Sequence, residues 1–151
     1  MSDTSVQTNG CLFCEIAQGR VRPHILFEDE HVLAFLDVGP IRRGHAQIIP
    51  RTHIRHFDDL PSELAWRILS VAQRVAKAQK NLYNVERVAF LFTGGDFAHA
   101  HAHVVPMVEK TDITSRRYIA EEILTFRALP APSSAELEAV SQELRASMQT
   151  G

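Results

Sequence analysis

The chain has 151 residues, of which 45% are hydrophobic and 23% charged, and its formal net charge is -2. This length and balance are typical of one globular domain with its own core. The charge is too evenly balanced to predict binding to nucleic acid or to an anionic membrane. No apolar run approaches the ~20 residues that a membrane span needs, and the polar start MSDTSVQTNG does not resemble a signal peptide. The only two cysteines, Cys11 and Cys14, are too close together to cross-link a fold, so we expect a cytoplasmic protein.

The N-terminal third predicts a short helix followed by three strands. CLFCEIAQG, from Cys11 to Gly19, predicts one or two helical turns that end at the glycine. HILFEDE and HVLAFLDV predict two strands around an acidic turn, and HAQIIP predicts a third strand closed by Pro50.

Beyond Pro50 the apolar period changes to that of a helix. From Ser62 to about Leu82 it predicts a long helix with one apolar face, formed by Leu64, Ile68, Val71 and Val75. RVAFLF predicts a fourth strand and residues from about 99 to 105 a fifth. SAELEAVSQELRASM predicts a second helix, which a capping box at Ser133 and Glu136 would begin. Strands in hairpin-like succession with one long helix inserted predict an antiparallel α+β domain.

The stretch HAHAHVVP, residues 99–106, has histidines at every second position. On a strand His99, His101 and His103 would point to the same face. Adjacent charged imidazoles repel one another, so we expect some of the three to be neutral at pH 7. Neutral imidazole can be a nucleophile, a general base or a metal ligand, which leaves covalent catalysis and a catalytic zinc as alternatives. Three ligands in line on one strand converge poorly on a single ion, which argues against the zinc.

Cys11 and Cys14 form a CxxC motif with three interpretations. A redox pair needs a preceding strand, and only a polar leader precedes this motif. A metal site needs two further ligands, which histidines could supply. Alternatively, both thiols stay reduced and pack as small apolar groups. The motif alone leaves these possibilities open.

Four segments together resemble the histidine triad (HIT) nucleotide hydrolases and transferases. CLFCEIAQG, FEDEHVLAFLDV, RGHAQIIPRTHI and HAHAHVVP follow that family's order and spacing across residues 11–107. The resemblance implies a HIT-like five-stranded antiparallel sheet with one long helix, plus a C-terminal helix. It divides the chain into a flexible leader at 1–10, a HIT domain at 11–110, and an extension at 111–151 that packs on the same domain. It also implies a homodimer.

The resemblance further implies which residues bind and transform a nucleotide. His101 would attack the α-phosphorus to form a covalent nucleotidyl-histidine intermediate, His103 would contact the phosphate oxygens, and His45 would support the triad. Asp37 would bind the ribose hydroxyls. The base would lie between apolar side chains at Phe13, Val21, Phe35 and Val38.

The loop before the triad departs from the family pattern. In TGGDFAHAHAH, Gly95 stands where many members have glutamine, and Asp96 stands where they have a hydroxyl that assists the leaving group. The backbone N–H groups of Gly94 and Gly95 could cradle phosphate beside Thr93, whereas a carboxylate at Asp96 would repel it.

Three functions remain open. The first is a hydrolase of phosphorus anhydride or phosphoramidate bonds, or a nucleotidyl transferase, acting on a purine nucleotide or an adenylated small molecule. The second is a nucleotide-binding sensor with negligible turnover. The third is a zinc-dependent hydrolase that uses triad histidines as metal ligands.

A structural zinc site also follows from the resemblance. In some bacterial members the CxxC, a histidine after the IP strand and the first triad histidine bind zinc, and the matching positions are Cys11, Cys14, His53 and His99. Two thiolates and two imidazoles form a closed tetrahedral set, which is typical of structural zinc. Only one triad histidine then has to reach the metal. The remaining histidines are interpreted as surface residues, namely His24, His31 and His56.

Overall fold

The computed structural model describes residues 10–95, 97–113 and 129–150. Its elements are α1 (Leu12–Ala17), β1 (Ile25–Glu28), β2 (Val32–Leu36), β3 (Ala46–Pro50), a 3₁₀ turn (Phe57–Asp59), α2 (Ser62–Tyr83), β4 (Arg87–Phe92), β5 (Ala102–Met107) and α3 (Ser134–Gln149). The strands form one sheet in the order β1-β2-β3-β5-β4, and every neighbouring pair is antiparallel. The predicted α+β fold is confirmed. The predicted leader lies almost wholly outside the described residues, as does much of the predicted extension.

One face of the sheet packs against the two long helices. The buried stripe of α2 contains three of the four predicted positions, and Leu64 packs at its edge. The other members of this core come mainly from β2, β3, β5 and α3, and include Val32, Ala34, Leu36, Ile48, Ala102, Val104, Leu137, Val140 and Leu144. Helix α2 ends where Asn84 adopts the left-handed conformation, with φ of 51°.

Helix α2 also fixes the loop and the strand that carry histidines. Gln79 is fully buried, and its side-chain Nε2 donates to the backbone oxygens of Gly44 and Val104 at 2.9 and 3.0 Å. Gly44 has φ of +86°, and a Cβ there would lie 2.5 Å from a ring carbon of Tyr83. Only glycine suits both demands, so the chain reaches His45 in a position set by the helix.

The opposite face of the sheet is covered by the short helix α1. Phe13 and Ile16 of α1 pack against Leu33, Phe35 and Ile49 of β2 and β3. All five residues of β2 are buried, because helices lie on both of its sides.

Strand β5 begins at Ala102, so the expectation of a strand from about residue 99 is wrong at its start. Ahead of the strand, the Ala100 N–H bonds the carbonyl oxygen of Ile54 at 2.7 Å, outside the sheet. The ladder between β3 and β5 joins Ala46 to Val104, Gln47 to His103, and Ile48 to Ala102.

Helix α3 begins with the predicted capping box. Ser133 Oγ accepts from the Glu136 N–H at 3.1 Å, and Glu136 Oε2 accepts from the Ser133 N–H at 2.7 Å. The helix packs beside α2 and across β1. Its Glu138 bonds His24 at 3.1 Å, so this histidine, expected at the surface, is half-buried at a helix contact. No helix among the described residues is long and apolar enough to cross a membrane.

Candidate active site and metal cluster

The triad histidines lie in a row on the sheet face that α1 covers. The rings of His101 and His103 have centroids 5.1 Å apart. Phe13 of α1 lies 5.0 Å from the His101 ring and 5.8 Å from the His99 ring, centroid to centroid. His99 and His101 are buried, and His103 is half-buried. Ala102 and Val104 alternate with them and enter the core on the other face.

One hydrogen bond determines which nitrogen of His101 carries the proton. His101 Nδ1 lies 2.7 Å from the backbone oxygen of His99. A carbonyl oxygen can only accept, so Nδ1 is the donor and the neutral ring keeps its lone pair on Nε2. The same histidine lines a cleft of about 190 Å³, together with Thr93 and Gly94. A buried imidazole held in this way can act as a nucleophile.

His45 orients His103 through a chain of hydrogen bonds. The Ile41 backbone N–H donates to His45 Nδ1 at 3.1 Å, which leaves the proton of the neutral His45 ring on Nε2. His45 Nε2 lies 2.9 Å from His103 Nδ1. Burial lowers the pKa of His45 to about 4, against the opposing charge of Asp37, so His45 is neutral at pH 7. A neutral His103 ring therefore carries its proton on Nε2.

Asp37 follows β2 directly and lies close to the same histidines. Its Oδ1 accepts from the Gly39 N–H at 2.8 Å, which closes the turn after the strand. Its Oδ2 accepts from Gln47 Nε2 at 2.5 Å and lies 3.6 Å from His45 Nε2. Gln47 is not among the site residues that the sequence motifs predicted. Its polar side chain between Ala46 and Ile48 on an apolar strand was the only available signal.

The four residues expected to hold the base differ in how far they are buried. Phe13 and Phe35 are buried with ring centroids 6.0 Å apart. Val21 and Val38 are 41% and 67% exposed. In the loop before the triad, Gly94 has φ of +65° and Gly95 is exposed. Asp96 lies outside the described residues.

The four residues expected to bind metal do form a cluster. The donor atoms of Cys11, Cys14, His53 and His99 all lie within 4.8 Å of one another. His53 Nδ1 is 3.1 Å from the Cys14 sulfur, and His99 Nδ1 is 3.5 Å from both sulfurs. His99 Nε2 donates to the carbonyl oxygen of Pro50 at 2.9 Å, which leaves Nδ1 to bind an ion.

The surroundings of Cys14 hold its thiol in the neutral form. Burial and the neighbouring Cys11 raise the pKa of Cys14 to about 12, and both cysteines are free thiols. A bound divalent cation would hold such thiols in the thiolate form. A second group of possible ligands consists of Asp37, His45 and His103.

Comparison with known proteins agrees with this geometry. The model of the HIT domain matches residues 18–110. The chain belongs to the HIT family. HIT proteins form a superfamily of nucleotide-binding hydrolases and transferases. The matched residues include the triad histidines and the glycine before His45, whereas Cys11 and Cys14 lie before them.

Several HIT relatives resemble this chain over most of its length. The protein named hit from Bacillus subtilis is 34% identical over 107 residues, which cover 68% of this chain and 74% of the relative. The adenosine 5'-monophosphoramidase of Saccharomyces cerevisiae is 34% identical over 107 residues, with 70% and 68% covered. A Zn-bound histidine triad family protein from Mycobacterium smegmatis superposes with a TM-score of 0.71 at 28% identity, covering 93% of this chain and 94% of that one.

Proposed function

We propose that this HIT protein is a nucleotide hydrolase or nucleotidyl transferase that works through a covalent intermediate on His101. The observation that carries the proposal is the 2.7 Å hydrogen bond from His101 Nδ1 to the His99 carbonyl oxygen. That bond leaves the lone pair of a neutral His101 on Nε2. A ring held by its backbone loses little freedom when it attacks, which favours reaction.

The reaction has two steps. His101 Nε2 forms a bond to the α-phosphorus, and the bond from phosphorus to the leaving oxygen or nitrogen breaks. The leaving group departs with that electron pair and takes a proton from solvent. Water or another acceptor then attacks phosphorus and loses a proton to solvent, and the electron pair of the P–N bond returns to His101. His103, oriented by His45, presents an Nε2–H that stabilises charge on the phosphate oxygens.

The substrate we propose is a conjugate of a purine nucleotide, most simply an adenylated small molecule. The yeast relative is named an adenosine 5'-monophosphoramidase, which supports an adenylyl group joined through a phosphoramidate or anhydride bond. Asp37 would accept from the ribose hydroxyls, and Phe13 and Phe35 would support the base. The N–H groups of Gly94 and Gly95, beside Thr93, would face the phosphates.

We also propose that the cysteine and histidine cluster holds a structural zinc ion. Bonds of about 2.3 Å to sulfur and 2.0–2.1 Å to nitrogen put the sulfur and nitrogen ligands of tetrahedral zinc about 3.6 Å apart. The separations of 3.5 Å from His99 Nδ1 to both sulfurs fit that value. Four protein ligands leave no open position, so zinc would cross-link α1 to the segment before β5. Cysteines that stay reduced for this purpose fit a cytoplasmic protein.

We also propose that two copies of the chain form a homodimer. Strand β4 is an edge of the sheet and exposes 40% of Phe90. Nearby elements leave Phe57 and Trp66 58% and 66% exposed. An unpaired strand edge with exposed aromatic side chains fits pairing with a second copy. Sedimentation equilibrium tests this point, since Phe90→Lys should give a monomer if β4 forms the interface.

Native mass spectrometry tests the catalytic proposal directly. Wild type and His101→Asn are mixed with adenosine 5'-phosphoramidate, a diadenosine polyphosphate and an aminoacyl-adenylate. We expect an added adenylyl mass or released AMP with wild type and neither with His101→Asn. Both proteins should retain one zinc ion per chain.

Two other outcomes would change the conclusion. If nucleotide binds but neither adduct nor AMP appears, the protein is a nucleotide-binding sensor. If His101→Asn loses its zinc, the triad histidines bind a catalytic metal and His101 is a ligand.

A further inference from the structure

Gln47 is a polar residue in the middle of an otherwise apolar central strand. Across the sheet its Cα lies opposite Phe35 of β2 on one side and His103 of β5 on the other. Its neighbours Ala46 and Ile48 enter the core under α2, so the Gln47 side chain lies on the triad face. It therefore stands between the proposed support for the base and the proposed phosphate contact. A ribose joins base to phosphate in every nucleotide, so Gln47 lies level with the sugar.

Gln47 and a backbone N–H together hold the Asp37 carboxylate. Gln47 Nε2 donates to Oδ2 at 2.5 Å, and the Gly39 N–H donates to Oδ1 at 2.8 Å. A carboxylate offers about four lone pairs, so each oxygen keeps one for a ligand hydroxyl. With both oxygens held by protein donors, those remaining lone pairs point in defined directions.

We propose that Gln47 is a positioning residue that holds Asp37 for the ribose diol, and thereby sets a preference for ribonucleotides over 2'-deoxyribonucleotides. The inference rests on the proposed function, because it assigns a role within the same nucleotide site. The ligand class that it selects is a nucleotide with both ribose hydroxyls. A 2'-deoxy analogue lacks one of the two donors that an oriented carboxylate accepts.

The amide oxygen of Gln47 makes it possible to test a positioning role separately from a role in stability. Among the residues that the structure describes, Gln47 Oε1 is one of three buried side-chain polar atoms without a hydrogen-bond partner. Burying such an acceptor is unfavourable, so a same-sized apolar side chain should fold at least as well. We therefore expect Gln47→Leu and Gln47→Met to keep or raise the melting temperature while releasing Asp37.

The experiment compares ribo and 2'-deoxy forms of one ligand pair. AMP and 2'-dAMP affinities are measured by calorimetry, and kcat/KM is measured for adenosine 5'-phosphoramidate and its 2'-deoxy form. Wild type should prefer the ribo form by about 10- to 100-fold, the range for one hydrogen bond to a charged group. In Gln47→Leu and Gln47→Met the preference should fall to within about 3-fold, mainly through KM.

A double-mutant comparison identifies the route of the effect. In an Asp37→Ala background, Gln47→Leu should leave the ribo-to-deoxy ratio unchanged, since there is no carboxylate to position. Ile48→Val, one residue along but facing the core, is the matched control and should keep the wild-type ratio.

Three results would overturn the inference. The first is a wild-type ratio retained in both folded Gln47 variants, and the second is an effect of Gln47→Leu that persists without Asp37. The third is a wild type that transfers adenylyl groups without any ribose preference, which would leave the role of His101 intact. A wild type that neither binds nor transforms any nucleotide would overturn the proposed function together with this inference.

Discussion

The two faces of the sheet differ in what covers them. Toward α2 and α3 the buried side chains are apolar apart from Gln79 and Ser141, and two helices of 22 and 16 residues cover them. On the other face a six-residue helix covers a small apolar cluster. Beside that cluster lie the buried rings of His99 and His101 and the thiol of Cys14.

The difference shows how one sheet supports both stability and chemistry. Burying polar groups costs free energy unless each finds a partner, so a face rich in histidine contributes little net stability. The apolar face, where Leu144 and Val75 are fully buried, contributes most of the stability of the fold. Alternation along β5 joins the two, since Val104 enters the core while His103 enters the site.

The largest effect on stability should come from the apolar face. Leu144→Ala removes a fully buried side chain from α3, so the free energy of unfolding should fall by about 2–5 kcal/mol. Urea denaturation measures this change. Turnover below the melting transition should stay within about 2-fold of wild type, because α3 packs on the sheet face opposite the one that α1 covers beside the triad. A large fall in turnover of the folded variant would show that packing on the apolar face affects catalysis on the histidine face.

Acid should destabilise the protein through the histidine face. The pKa of His45 is lowered to about 4 by burial, whereas an unfolded histidine titrates near 6.5. The unfolded chain thus binds the proton first as pH falls, and stability should drop by up to about 3 kcal/mol between pH 6.5 and pH 4. The pH dependence of urea midpoints measures it. His45→Asn should flatten that slope, and an unchanged slope would contradict the assignment.

Removing one metal ligand should lower turnover more than it disturbs the packing of the apolar core. Cys14→Ala should abolish zinc binding, measured by native mass spectrometry, and lower turnover by about 10²-fold. The reason is that neighbouring Phe13 contacts the His101 ring, and His99 supplies the carbonyl that holds it. Leu12→Ala, at a 40% exposed position of the same helix, is the control and should keep zinc and activity. Full turnover in zinc-free protein would refute the link.

The smallest effect should come from the start of α3. Ser133→Ala removes the side-chain acceptor of the capping box and should lower the free energy of unfolding by about 1 kcal/mol, with unchanged turnover. Thermal denaturation measures it. Ser134→Ala serves as a control, since Ser134 is not the N-cap residue. Equal losses in both variants would argue against the capping box.

Much of the fold followed from local periodicity. The apolar repeat of α2 and the capping box at Ser133 and Glu136 both depend on residues a few positions apart. Strand β5 began three residues later than predicted because its approach depends on distant partners. Ala100 bonds the oxygen of Ile54, and His99 bonds that of Pro50, contacts that spacing along the chain cannot reveal.

The residues of the candidate site were predicted from sequence motifs. The site residue that was not predicted belongs to no motif. The triad, His45, Asp37 and the four cysteine and histidine positions all lie where a motif recurs, and the structure brings them close together. Gln47 belongs to no motif, and one polar residue in a strand usually faces solvent. Val21 and Val38 matched the motif by position, and the structure leaves both side chains exposed.

The sequence by itself determined the order of elements, the alternation that separates His101 and His103 from Ala102 and Val104, and the types of residue available for chemistry. Only the tertiary structure decided which ring nitrogen of each histidine carries a proton. Those protons depend on the carbonyl oxygens of Pro50 and His99 and on the N–H of Ile41. Backbone carbonyl and N–H groups occur all along the chain, so the sequence cannot show which of them bonds a given histidine. Only the folded structure brings the two together.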